Sequence, residues 1–349
     1  MTNQEAQNKT MNNVKKLTKD LFLYNYENDY YLNDLLDVGV KSVPELLKFA
    51  TVKMLNNGNS FDPIKINMGC TTFNCKTPEG NVLLGRNFDF KAASCSVVWT
   101  TPENGFKSIS VTNNNMLLYG KKNNPVDAKS KKQLLLAPYV PVDGLNEKGL
   151  AIAILELKHP PVNQTYDDRK DIVPTVMLRA VLDSCATIDE AIELFNKFNM
   201  NDSLFAAYHY QITDKSGRSV ILEYDWTGEE TVLNVYTPED FGSKYGVQSC
   251  ANFCVNNNIV GEKDFGHERA KLSFEAAEKN KGILTKKQAM DVLYDVRLSY
   301  KHEIYPWHVT TLWSAVYDCT DGKMAICAGL DYDNMYEFSV EKPYEYEIL

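Results

Sequence analysis

A glycine followed by a cysteine, Gly69-Cys70, opens an apolar stretch, and the chain soon turns back toward it. The run Gly69-Cys70-Thr71-Thr72-Phe73-Asn74-Cys75-Lys76 meets Thr77-Pro78-Glu79-Gly80 and leaves through Asn81-Val82-Leu83-Leu84-Gly85-Arg86-Asn87-Phe88-Asp89-Phe90. Proline fixes φ early in the turn and glycine closes it, so the stretches 71–73 and 82–84 are expected to be the two strands of a hairpin. Side chains of paired strands share a face only when directly opposed or two apart. Cys70 and Arg86 therefore face the same way only with an odd-length loop or a bulge. This predicts a glycine bulge at Gly80 and places Asp89 beyond the regular pairing.

A thiol after a glycine, with a cation and a carboxylate returned to it by a hairpin, suits an N-terminal nucleophile exposed by self-cleavage. The Cys70 thiol would attack the carbonyl of Gly69, and water would open the resulting thioester. The freed α-amine, with a reference pKa of about 7.7 to 8.0, would then act as general base for the thiol beside it. Glycine lacks a Cβ and lets the scissile bond be held under strain. Arg86 is expected to lower the thiol pKa, and Asp89 to hold and orient the new ammonium. The other reading of Cys70 is a buried structural thiol, as for any of the eight cysteines.

The same run, Gly69 to Asp89, resembles the start of the mature chain in the choloylglycine hydrolase and penicillin V acylase superfamily. The Gly-Cys-Thr-Thr start behind a separate propeptide is most similar to its isopenicillin N acyltransferase and acid ceramidase-like branch. Asp143-Gly144-Leu145-Asn146-Glu147-Lys148-Gly149-Leu150 is similar to the family's conserved loop, and the resemblance implies an oxyanion-hole role for Asn146. Ser249-Cys250-Ala251-Asn252-Phe253 stands where the family carries a second functional asparagine, here Asn252, with alanine in place of the usual threonine. Glu268-Arg269 matches the family arginine downstream of it, and Thr310-Thr311-Leu312-Trp313-Ser314-Ala315-Val316-Tyr317-Asp318 its late strand.

An amide N–H aimed at a tetrahedral oxyanion stabilises it without competing for a proton, typically by about 2.7 to 4 kcal/mol of barrier. Asn146 equally suits an ordinary turn, since asparagine tolerates positive φ. Arg269 reads either as a charge supporting the nucleophile or as a solvated helix residue.

The remaining composition bounds the function class. With a formal net charge of -9 the chain would be repelled by phosphates, so no nucleic-acid partner is expected. No apolar run approaches the ~20 residues of a membrane span, and Met1-Thr2-Asn3-Gln4-Glu5 has no signal pattern. Irregularly spaced cysteines then read as reduced thiols of a cytoplasmic protein. Neither Cys70/Cys75 nor Cys250/Cys254 has a second pair at zinc-ligand spacing, so no metal and no cofactor is expected. His302 and His308 flank Tyr305-Pro306-Trp307, an expected aromatic loop. A homo-oligomer stays open.

Residues 1–69 are expected to be a helical propeptide or small subunit released by self-cleavage. Ser42-Val43-Pro44-Glu45 would cap a helix running to Leu55, and Asn56-Asn57-Gly58-Asn59 would stop it. The apolar positions Leu21, Phe22, Leu23, Tyr24, Leu32, Leu35 and Leu36 would pack on the body or hood the site.

In residues 70–349 strands are expected near 107–119, 149–157, 208–214, 219–224, 231–236, 310–318 and 323–328. Helices are expected near 173–184, 188–198, 268–280 and 286–297. That order predicts an α+β fold, an αββα sandwich of two antiparallel sheets between helical layers, which is also what the resemblance implies: the N-terminal-nucleophile hydrolase fold. The expected activity is hydrolysis of a linear amide in a small-molecule N-acyl substrate, such as a bile acid conjugate, a penicillin V-like amide or a fatty acyl amide. An acyltransferase using an amine instead of water, and a non-catalytic binding protein that keeps the fold, are the alternatives.

Overall fold

The computed structural model describes residues 2–55, 69–91, 93–117, 124–127, 131–157, 159–202, 206–228, 230–256, 264–301 and 308–349. The expected stop at residues 56–59 and the loop around Trp307 lie outside them.

In chain order the strands begin with β1 (Lys15–Lys16), β2 (Leu21–Tyr26), β3 (Gly69–Lys76), β4 (Val82–Phe90), β5 (Cys95–Thr100) and β6 (Ser108–Asn113). There follow β7 (Asp143–Asn146), β8 (Leu150–Leu157), β9 (Lys170–Ile172), β10 (Phe198–Met200), β11 (Ala207–Asp214), β12 (Ser219–Asp225) and β13 (Val232–Tyr236). The last are β14 (Ser249–Cys250), β15 (Ser299–Lys301), β16 (His308–Asp318), β17 (Lys323–Ala328), β18 (Tyr336–Ser339) and β19 (Tyr346–Ile348). The α-helices are α1 (Asn3–Asn12), α2 (Leu32–Val38), α3 (Val43–Ala50), α4 (Pro174–Ser184), α5 (Ile188–Asn196), α6 (His267–Lys279) and α7 (Lys286–Asp295).

Two large sheets form. One runs β1-β2-β5-β6-β7-β8-β11-β12-β13, and the other β14-β3-β4-β16-β17-β18-β19 with β15 also paired to β16. Helices α4 and α5 cover the first sheet, α6 and α7 cover the second, and β3 and β4 contact β8 and β11 across the interior. The fold is the expected αββα sandwich. A strand covered on both faces reads as a near-continuous apolar run, and β8, Leu-Ala-Ile-Ala-Ile-Leu-Glu-Leu, buried along its whole length, is one with a single charged residue.

The hairpin of β3 and β4 pairs Cys70 with Phe88, Thr72 with Arg86 and Lys76 with Val82. Cys70, Thr72, Arg86 and Phe88 therefore share one face. The turn achieves this parity with a glycine: Gly80 donates to the Thr77 carbonyl, Thr77 donates back to that of Asn81, and Gly80 takes φ +97°. Asp89 lies inside the regular pairing, opposite Gly69, contrary to the sequence expectation. Its side chain consequently leaves the sheet on the side away from the thiol.

The N-terminal segment departs further from expectation. Ser42 caps α3 by accepting from Glu45 N, but that helix ends at Ala50 and passes into a π turn, Thr51–Leu55. Residues 21–24 are strand, not helix. β2 pairs in parallel with β5, Leu21 opposite Cys95 through Tyr26 opposite Thr100. Run together, Leu21-Phe22-Leu23-Tyr24 gives no 3.6-residue stripe, and its aromatic and branched side chains suit a strand buried on both faces.

Candidate functional site

Strand pairing puts the thiol of Cys70 between the two sheets, fully buried, with its Sγ 3.7 Å from the carbonyl oxygen of Ile154 on β8. On the same face Arg86, also fully buried, donates from Nε to Asp143 Oδ2 at 2.7 Å and from Nη1 to the Asn87 carbonyl at 3.1 Å. Asp143 is held by two further donors, Trp313 Nε1 at 3.1 Å and the Tyr317 hydroxyl. The Asp-Gly of residues 143–144 thus lies in a strand, and its carboxylate is the counter-ion of Arg86. Trp313 in turn stacks on Phe88, centroids 4.2 Å apart. A bulge in β16 between Thr311 and Trp313 makes both arrangements possible, because Thr311 still pairs with Asp89 while Trp313 pairs with Phe88.

The opposite face of the hairpin carries the other charge pair. Thr311 Oγ1 donates to Asp89 Oδ1 at 2.5 Å, and Arg269 Nη1 lies 2.7 Å from Asp89 Oδ2. Arg269 is largely buried on α6, where it also donates to the Val296 carbonyl at 2.6 Å and to the Cys70 carbonyl at 3.4 Å. A Cβ added to Gly69 would stand 3.0 Å from both Asp89 Cβ and Oδ2. The Gly69–Cys70 bond is therefore flanked by the thiol on one side and the Asp89–Arg269 pair on the other.

Asn252 reaches this bond directly. Its Oδ1 accepts from Cys70 N at 2.7 Å, and its Nδ2 donates to the Glu156 carbonyl at 2.7 Å, tying β3 to β8. Asn146 does not join the cluster: its Nδ2 donates to the Leu182 and Cys185 carbonyls at the end of α4, and its Oδ1 accepts from Lys148 N and Leu150 N in the β7–β8 turn. Both its protons are used by backbone, and Asn146 ends β7 without the positive φ of the turn reading, which falls on Gly149.

Burial pushes the Cys70 thiol above its ordinary value, and the opposing pull of Arg86 does not overcome it. Burial also works against the charge of Arg86, but Cys70 and Asp143 outweigh that and raise its pKa, so it stays protonated. Burial raises Asp143 too, yet a carboxylate receiving three donors remains the ionised partner. The eight cysteines are all free and buried. Among the described residues no group of three or more His, Cys, Asp or Glu could hold a metal ion, and no helix is long and apolar enough to cross a membrane.

Comparison with known protein families matches residues 70–247 to the linear amide C-N hydrolases, choloylglycine hydrolase family, a match that begins on the buried thiol and spans just over half of the chain. The chain belongs to this family.

As a choloylglycine hydrolase family member it shares its fold with solved relatives of distant sequence. A variant of the conjugated bile acid hydrolase from Clostridium perfringens is 16% identical, with TM-score 0.55, over 80% of this chain and 96% of that one. Penicillin V acylase from Agrobacterium tumefaciens is 18% identical, with TM-score 0.55, over 78% and 87%. Family membership makes the chain a hydrolase of linear amides. Asp143, Thr311 and Trp313 lie in motifs legible in the sequence, but nothing local marks Asp143 as the partner of Arg86. The contacts of Asp89 with Arg269 join residues far apart in the chain, and only the packing of α6 on β3 brings them together.

Proposed function

We propose that this choloylglycine hydrolase family member is a cysteine amidase activated by its own Cys70. Sγ attacks the Gly69 carbonyl carbon, the Gly69–Cys70 C–N bond breaks as the nitrogen takes up the thiol proton, and a thioester forms. Water then opens it to a Gly69 carboxylate and a Cys70 bearing a free thiol and a free α-amine. The observation that carries this reading is the seat of the bond: its N–H is held by Asn252, the Cys70 carbonyl just after it by Arg269, and its glycine lies against Asp89.

In the cut enzyme the amine takes the thiol proton as Sγ attacks an acyl carbonyl, then delivers it to the leaving nitrogen, and water resolves the thioester. Arg86, fixed by Asp143, stabilises the thiolate; Asn252 and the Asp89–Arg269 pair hold the amine. Asn146 takes no part in the chemistry. The substrate is a small N-acyl amide with an apolar acyl group, of the bile acid conjugate or penicillin V-like class that the neighbouring structures name, or of the fatty acyl class. Residues 1–69 stay bound after the cut as a small subunit, since β2 is an interior strand of the first sheet.

Intact-mass measurement and N-terminal sequencing test the reading. The active protein is expected as two pieces, one beginning Cys-Thr-Thr-Phe, while Cys70→Ala stays whole and hydrolyses no N-acyl amide from a panel of the three classes. Full activity in an uncut wild-type chain would overturn it.

A further inference from the structure

We propose that His209 is a positioning residue, a doubly protonated imidazolium that aims Asn252 at the Cys70 nitrogen. The inference rests on the reading of Cys70 as the nucleophile. β14 ends at Cys250, so no ladder hydrogen bond from β3 fixes the chain beyond it. Asn252 sits two residues further on, yet its amide must meet both Cys70 N and the Glu156 carbonyl. The segment is held by a bridge in which Phe265 N donates to the Asn252 carbonyl at 3.2 Å, and from the first sheet. His209 Nε2 lies 2.8 Å from the Ala251 carbonyl, immediately before Asn252, and Glu223 accepts from Val255 N at 2.9 Å and Asn256 N at 3.1 Å just after it. His209 and Glu223 are cross-strand partners on β11 and β12, with Nδ1 3.2 Å from Oε2, and both are buried.

The proton count follows from the partners. A backbone carbonyl only accepts, and with Glu223 as the carboxylate that receives two backbone N–H groups, each ring nitrogen of His209 supplies a hydrogen. A neutral ring would satisfy both oxygens only if Glu223 carried the proton and donated it to Nδ1. Among the described residues, Cys250, Cys254 and Tyr236 each have a pKa raised chiefly by burial and further by Glu223. None of them offsets the buried carboxylate. His209 does, and an ion pair of this kind is costly to break by removing one member.

Two measurements on the full chain test this. Ring-nitrogen NMR of the wild-type protein at neutral pH, assigned with His209→Gln, is expected to show both nitrogens of His209 protonated; a neutral tautomer would overturn the proposal. His209→Leu is expected to slow self-cleavage and kcat by about a hundredfold while KM moves within about twofold, as for a misplaced rather than a missing group. His209→Gln, which can still donate to the Ala251 carbonyl, is expected to regain about tenfold of that loss. Wild-type rates in a folded His209→Leu protein would also overturn it. Where that variant fails to fold, the ring spectrum decides alone. A wild type that is uncut and inactive would remove the Cys70 reading and leave the protonation state of His209 to be judged separately.

Discussion

At the residue scale, each member of the site has a distinct physical cost when removed. Arg86 is a fully buried cation facing a fully buried carboxylate. Arg86→Met strands Asp143 without its counter-ion and is expected to destabilise the chain by about 3 to 5 kcal/mol in denaturant titration, besides blocking the cut. Because burial raises the Cys70 thiol, only a small fraction is thiolate at neutral pH in the uncut chain, and that fraction grows about tenfold per pH unit. Self-cleavage of freshly refolded protein is therefore expected to accelerate from pH 6 to pH 8. A rate that is flat or falling over that range, followed by intact mass, would show that thiolate is not the attacking species. Gly69→Val places methyl groups where Asp89 packs; the cut should slow while the fold persists.

Elements are specified by their ends as much as by their interiors. The capping boxes at Thr187 and Thr285 start α5 and α7 at the positions that sequence implies. Glycines fix the turns unequally. Gly80 takes positive φ with nothing within 4 Å of an added Cβ, whereas a Cβ on Gly149, also at positive φ, would lie 2.2 Å from the Cys319 carbonyl oxygen. Gly80→Ala is expected to cost about 1 to 2 kcal/mol and Gly149→Ala about 3 or more, read from denaturation midpoints. The β16 bulge had no such signal. Nothing in Thr310-Thr311-Leu312-Trp313 marks Leu312 as the extra residue, because a bulge is defined by the partner strand as well as by its own.

For the whole molecule, the proposed cut at Gly69 would divide the covalent chain without dividing the folded body. β2 lies between β1 and β5, and Leu21, Leu23, Tyr24 and Tyr26 belong to the main core. Tyr30 donates to Asp183 of α4 and Tyr26 to the Leu135 carbonyl. The two pieces of the mature protein are expected to co-elute in size exclusion and to separate only in denaturant; loss of the small piece in native buffer would contradict this. The mature piece alone would bare β5 as an edge strand and should aggregate.

Hydrophobic period, turn residues and caps are local, and they determined half of the strands after residue 100, helices α4 to α7, the hairpin and the parity that sets Cys70 beside Arg86. Tertiary structure alone decided that β2 is a strand, that Asp143 faces Arg86, that Asp89 meets Arg269, that Asn146 is a turn clamp, and that His209 reaches the segment of Asn252. Those contacts join residues far apart in sequence, and a strand buried on both faces carries no periodicity by which its partner could be read.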